Sequence, residues 1–508
     1  MGSIQDNCHP SWTEIAPNTY RQPYGFQEVL YNAISVPAGS PGLFLVGSAV
    51  TFRYSPSKSN DENTPSNPNG KESAGLDLIP RLRNAWLQMR QQYPTLAAEN
   101  TPDGKVYISP TTADELNSWL ETTFLVRPGK TWSEIWKTLV KTRQMTMHFF
   151  PEASQLFVQG EHHIVDGRGG MNFWDRFFRA LASPTATFLI TQTAGAEVVR
   201  LPPRSDDLLD MRERSPGRGE QHALELLAPL QEGVTNPIFL PVETATTITT
   251  TTTTTDPVPP LEEENSRSNN NVTGQLVADQ ATSKAIKIAC KAQGISVTAA
   301  WHAAVVLATQ KLQSSSGGVV GTQFPCFGNF DLRRYFPSPE TVLPRAAVPD
   351  AYNLSNHHCI LPHVVTTSPE KTFLHIAREV DSFYQRDLSV DDPELWSALG
   401  PMIRMLVPEY TEKKPEEMGS TPALSSFGVA DWFISSEYGE GKEWKVQDIW
   451  FGNTVTGPWL ECFMWSWQGK LCLNSCWNEE YYSEGDVARF HGEVLRGMLE
   501  GLEQGSKV

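Results

Sequence analysis

The stretch GEHHIVDGRGG, residues 160–170, is the one around which the rest of the chain arranges itself. Leu156–Gly160 before it reads as a short strand. Met171–Ala182 after it reads as a helix, with Met171, Trp174, Phe178 and Leu181 on one side. Between them His162 and Asp166 are spaced four apart, and Gly167 follows at once. Histidine is the side chain best suited to take up a proton near neutral pH. A carboxylate four residues on can hold local geometry by pairing with an arginine. Gly167, Gly169 and Gly170 read as packing and turn residues that let the backbone come close to a ligand. No Lys-Ser or Lys-Thr follows them, so they do not make a phosphate loop. The spacing alone is weak evidence. The strand–motif–helix frame makes it informative.

Working outward, Leu43–Tyr54 is strand-like. A helix is expected from Asp77 as cap, with Pro80 in its first turn and Ile79, Leu82, Trp86, Met89 and Tyr93 on one face. The second half opens with helices over 282–293, stopping at Gly294, and 298–312. Strands are expected at 319–324, leading into NFDLRRYFP (329–337), then at 357–365, 423–434 and 444–454. A helix is expected at 372–384. A hairpin turns at Gln468-Gly469. A final helix is capped by Ser483 with Asp486 and buries Val487, Phe490, Val494, Met498 and Leu502. Two segments cannot bury enough area to fold, Ser55–Ser73 and the Thr-, Pro- and Asn-rich run from Thr244 to Asn271. The expected organisation is an α/β chain of two similar-sized lobes, 1–240 and 273–508, joined by a linker over 241–272.

Composition excludes several functions. The 508 residues carry a formal charge of −17, which does not suit a phosphate-backbone binder, so no nucleic-acid partner is expected. No run reaches the ~18 apolar residues of a membrane span, and MGSIQDNCHP lacks the apolar core of a signal peptide. A cytoplasmic location is the expectation. The seven cysteines are dispersed and form no CxxC, so free thiols are expected and no structural metal site. His357-His358-Cys359 is not a metal cluster either, because neighbours in a strand point to opposite faces.

On these residues the chain resembles the chloramphenicol-acetyltransferase-like superfamily, whose signature is HxxxDG. That group includes plant acyltransferases, fungal acetyltransferases such as trichothecene 15-O-acetyltransferase, and condensation domains of peptide synthetases. EHHIVDG (161–167) aligns with the signature through His162. Glu161 stands where condensation domains carry their first histidine, and His163 becomes a neighbour. ISVTAAWHAAVVLAT (295–309), NFDLRRYF (329–336), SSFGVAD (425–431) and the closing 465–490 segment resemble family segments in the same order. DIWFGNT (448–454) shares only Phe451-Gly452 with the plant DFGWG strand.

The resemblance implies two lobes, each a mixed sheet with flanking helices, and a tunnel between them. It implies an acyl-CoA-dependent O-acyltransferase acting on a hydroxyl of an apolar small molecule of secondary metabolism, with acetyl as the default group. His162 would be the base. Asp166 would be structural, held by Arg333 rather than Arg334, with Gly167 supporting the turn. Ser425, Ser426 or Thr454 would line the channel or stabilise the oxyanion. Acyl-CoA would be a co-substrate. No bound cofactor, metal or covalent acyl-enzyme is implied, and a monomer is expected. Two other readings share the fold: a donor loaded on a carrier protein, or a cyclisation; and a non-catalytic ligand-binding protein.

Overall fold

The computed structural model describes residues 11–35, 44–56, 78–183, 195–211, 217–242, 270–317, 319–338, 352–392, 394–414 and 417–505. The capping residue Asp77, the Ser55–Ser73 loop from position 57, and the linker from 243 to 269 lie outside them.

The centre of the first half is a six-stranded sheet. Its order is Glu437–Tyr438, Trp444–Asn453, Leu45–Tyr54, Gln155–Glu161, Thr146–Phe150 and Phe124–Val126. All neighbours are antiparallel except the last pair. Two of these strands come from the second half of the chain. Trp444–Asn453 lies along Leu45–Tyr54 in a register that sets Asn453 against Val46 and Trp444 against Tyr54. The two halves of the chain are therefore tied by backbone hydrogen bonds as well as by side-chain packing.

The Gly167–Ala182 helix packs on this sheet through Met171, Phe173, Trp174, Phe177, Phe178 and Leu181, all buried. That stripe follows the i, i+3, i+4 pattern expected of one helical face. The helix begins four residues earlier than its apolar pattern suggested. Asp166 caps it, accepting the Gly169 N–H at 2.7 Å. The three glycines consequently sit in the first helical turn, and none has positive φ. Gly167 and Gly169 serve close packing rather than a turn. A Cβ on Gly167 would lie 2.2 Å from the Phe427 ring, and one on Gly169 would lie 2.7 Å from the Leu354 carbonyl oxygen.

The second half has its own sheet in the order Ala423–Val429, Glu461–Trp467, Lys470–Asn478 and Asn271–Val277. The Val297–Ser315 helix is buried nearly all round, as its Ala- and Val-rich sequence demands, between the helices Phe373–Gln385 and Glu484–Gly505. Ser483 and Asp486 form the expected reciprocal cap of the last helix. Gln468 and Gly469 turn the 461–478 hairpin with both φ positive, the geometry a two-residue loop prefers.

Other boundaries differ from expectation. The strand expected at 319–324 runs instead from Gln323 to Asp331, so the NFD step lies inside it and Arg333–Tyr335 forms a single 3₁₀ turn after it. It pairs with His358–Thr366 as a separate two-stranded ribbon. The helix expected from Asp77 spans Ile79–Gln92, with Leu78 preceding it and no side-chain cap.

A third apolar cluster joins the helices Phe26–Ser35, Arg218–Gln231 and Leu395–Thr411 to that ribbon. The Leu395–Thr411 helix contains Pro401 and Pro408, residues that argue against a helix from sequence, and packing on two neighbouring helices offsets them. Among the described residues no helix is long and apolar enough to cross a membrane.

Candidate active site

A cavity of about 950 Å³ is walled by both halves of the chain: by Phe26–Ser35, by the 160–170 stretch, by the ribbon, and by segments 405–427 and 451–463. Leu30, Ile34, Phe44, Leu406 and Phe463 make much of the wall apolar. The motif opens onto it at the end of the Gln155–Glu161 strand.

His162 lines the cavity. Its ring stacks on Tyr31 at 4.2 Å and on Phe44 at 5.3 Å, which fixes its plane. Its backbone is held as well. The His162 N–H donates to the Phe44 carbonyl, and the Asn356 amide donates to the His162 carbonyl. Nδ1 is buried with no hydrogen-bond partner among the described residues, which leaves Nε2 as the nitrogen available to a substrate. Burial, reinforced by neighbouring His358, pushes the imidazole down to about 3. The ring is neutral throughout the physiological range, the state in which a histidine accepts a proton.

Asp166 and Arg333 form the scaffold beneath it. The guanidinium meets the carboxylate through two bonds, Nη1 to Oδ2 at 2.9 Å and Nη2 to Oδ1 at 3.0 Å. Asp166 also accepts the backbone N–H groups of Gly169 and His357, both at 2.7 Å. Four donors occupy the carboxylate, so it has no capacity left for a substrate proton. Burial alone would raise this carboxyl, but the Arg333 charge outweighs it and holds the group well below the usual carboxylate range. Arg333 further donates to the carbonyls of Tyr352, Asn353 and Ser355 and to Asp331. Its neighbour Arg334 points elsewhere, over the Tyr335 ring.

The remaining residues singled out from sequence divide. Ser425 and Ser426 line the cavity, and the Ser426 hydroxyl is bonded to that of Thr298 at 2.8 Å. Gly167 lines it too, pressed on Phe427. Thr454 does not belong to the channel. It is fully buried, and its hydroxyl accepts the Leu45 N–H at 2.9 Å, helping to seat the two halves on each other. His163 is buried behind the wall, stacked on Tyr24 and within 3.2 Å of the Asn100 amide. Glu161 pairs with Lys141 at 2.6 Å.

Sequence reasoning missed part of the site. His358, set aside with the His357-His358-Cys359 run, lines the cavity. Its Nε2 lies 2.5 Å from the Tyr31 hydroxyl and its Nδ1 3.8 Å from Asp166. Tyr31 was not singled out at all. Its helix precedes the motif by more than a hundred residues, and no local pattern links them. Among the described residues no group of three or more His, Cys, Asp or Glu is placed to hold a metal.

No family model matches the chain. Curated relatives do. Acetyltransferase pigO of Monascus ruber is 25% identical over 482 residues, covering 93% of this chain and 94% of its own length. O-acetyltransferase pigM of the same fungus is 26% identical, over 82% of this chain and 75% of its own. A protein of Epichloe uncinata named as the loline biosynthesis cluster 1 transcription factor lolU1 is 25% identical, over 86% and 91%. Among solved structures, the TRI3 trichothecene 15-O-acetyltransferase of Fusarium sporotrichioides superposes over 97% of this chain and 98% of its own with a TM-score of 0.71, at 17% identity. The chain has the chloramphenicol-acetyltransferase-like fold.

Proposed function

We propose that the protein is an acyltransferase that moves an acetyl group from acetyl-CoA to a hydroxyl of an apolar small molecule of secondary metabolism. One observation carries this reading. A neutral histidine, its plane fixed by stacking, faces a large cavity between the halves, while the motif carboxylate is fully occupied by Arg333 and two backbone amides. The division matches a base that must be free and a support that must not react. The names of pigO, pigM and TRI3 support the acetyl group, and the last two the oxygen acceptor.

In this reading the acceptor hydroxyl donates its proton to His162 Nε2 as its oxygen attacks the thioester carbonyl. The imidazolium that forms is favoured by the nearby negative charge of Asp166. The tetrahedral oxyanion needs a donor in the cavity, for which Ser425 and Ser426 are the candidates. Collapse expels the CoA thiolate, which recovers the proton from His162, leaving an ester and free CoA. No acyl-enzyme is required. The same reading has the chain act as a cytoplasmic monomer.

A net charge of −17 speaks against the DNA-contacting role that the name of lolU1 would suggest. The test is calorimetric binding of acetyl-CoA to the wild type and to His162→Ala, followed by acceptor-dependent CoA release. Equal binding with release lost in the variant is the expected result. Undiminished release from His162→Ala overturns the reading.

A further inference from the structure

The cavity wall carries four carboxylates, and three have a cation. Asp166 is paired with Arg333, Asp331 with Arg333 and Arg168, and Glu409 with Lys413. These same three residues, Arg168, Arg333 and Lys413, are the cations of the wall, so all are committed. Glu461 is the exception. It opens the Glu461–Trp467 strand, faces the cavity, and has no ion-pair partner among the described residues. The side chains of Trp459 and Asn453 hydrogen-bond to it. Tyr410, near enough to feel the Glu461 charge, and Phe463, two residues along the same strand, also line the cavity.

An uncompensated carboxylate in an apolar wall is costly to bury, and a cation brought by a ligand removes the cost. Aromatic faces beside it suit an ammonium group further. We propose that Glu461 is the residue by which the tunnel recognises its acceptor, and that the acceptor carries a protonated amine on an otherwise apolar skeleton. The proposal rests on the reading of the cavity as the acceptor site.

The electrostatic surroundings make the interaction pH-dependent. The titratable groups in reach of Glu461 are Tyr31 on the Phe26–Ser35 helix, Tyr410 on the Leu395–Thr411 helix, Cys462 on its own strand and Cys476 on the neighbouring one. Burial raises all four, so they stay neutral and none competes. Burial also pushes the Glu461 carboxyl up to about 7. The carboxylate is therefore half-formed near neutrality and complete above it. An alkyl amine stays protonated to about pH 10.

The experiment needs no acyl donor. Phenylbutylamine and phenylbutanol, alike in shape, are titrated calorimetrically into the wild type, Glu461→Gln and Glu461→Asp at about pH 5.5 and about pH 8. In the wild type the amine should bind about tenfold tighter than the alcohol at the higher pH, the size of a charge-assisted hydrogen bond. At the lower pH the preference should vanish. Glu461→Gln should lose it at both, with alcohol binding unchanged, and Glu461→Asp should keep most of it. Equal binding of amine and alcohol to the wild type at high pH overturns the proposal, as does a preference that survives in Glu461→Gln. Acetyl-CoA titrated into the same proteins reports on the acyltransferase reading separately. Its failure with the amine preference intact sinks that reading and leaves Glu461 as a cation-recognising residue.

Discussion

Asp166 and Glu461 are both carboxylates in the wall of one cavity, and their chemistry runs in opposite directions. Asp166 has a guanidinium and two backbone amides on its oxygens and is held ionised. Glu461 has neutral donors only and is pushed toward the acid form. Burial acts on both in the same sense, so the difference comes from what each side chain touches. The lesson extends to the wall as a whole. Where the motif enters, the carboxylate is satisfied within the protein by Arg333 and two backbone amides. Where the 453–461 segment closes the cavity, a carboxyl group held by neutral donors has no cation beside it among the described residues.

The largest expected effect separates the free base from the paired carboxylate. His162→Ala should lower kcat/KM by roughly 10²–10⁴, the range for loss of a general base, with the melting temperature nearly unchanged. A fall in both together would mean that His162 belongs to the scaffold. Arg333→Met should instead cost about 3–5 kcal/mol of stability, because it leaves Asp166 buried and unpaired. Denaturant melts at neutral pH measure this, and recovery in the double variant Arg333→Met, Asp166→Asn would show that the unpaired charge is the cause.

Gly167→Ala drives a methyl group toward Phe427 across the junction of the two halves. It should cost about 1–3 kcal/mol and raise the KM for the acceptor, since Phe427 lines the cavity. An unchanged melting temperature would show that the ring has room to move. Thr454→Val should cost about 1 kcal/mol with kcat unchanged, as its hydroxyl bonds backbone rather than substrate. A drop in kcat beyond the stability effect would return Thr454 to the channel.

Stability against pH sharpens the comparison further. Seven histidines, His148, His162, His163, His302, His357, His363 and His491, are held below their ordinary value, chiefly by burial. Their contribution is present above the unfolded value of about 6.5 and is lost as pH falls below it. The Asp166 contribution is lost only further down, below about pH 4. Glu461 has the reverse sign, with folded value above unfolded, so its contribution fades as pH rises through about 7. The melting temperature should therefore begin to fall below about pH 6.5. The stability lead that Glu461 gives the wild type over Glu461→Gln should shrink as pH rises from about 4 to about 7 and stay constant above it. A difference between the two proteins that does not change with pH would show that the Glu461 carboxyl is not raised.

Much of this was legible in the linear chain. The frame around His162 and Asp166 is local, an apolar strand and an aromatic stripe at helical spacing, whereas the cap by Asp166 was not legible because the glycines after it carry no apolar signal. The final helix and the Gln468-Gly469 turn were legible for the same reason, because capping and left-handed turns are decided within a few residues. The pairing of Asp166 with Arg333 came from resemblance, and the structure brings the two together across 167 positions. What the sequence concealed was non-local. The Leu395–Thr411 helix contains two prolines and is held by two helices of the first half, Phe26–Ser35 and Arg218–Gln231. Tyr31, His358 and Glu461 reach the cavity from three segments with no shared motif, and Thr454 leaves it because a strand from the second half docks beside Leu45.

By itself, then, the sequence determined the elements whose signals lie within one turn or one strand: the motif, the cap of the last helix, the apolar faces and an α/β organisation. Only the tertiary structure decided which polar groups are satisfied and which are left facing the cavity. The reason is physical. A side chain's burial, charge and hydrogen-bond partners depend on what the chain packs against it from hundreds of residues away, and the same carboxylate becomes a fixed anion beside Arg333 or an unpaired acid beside Trp459.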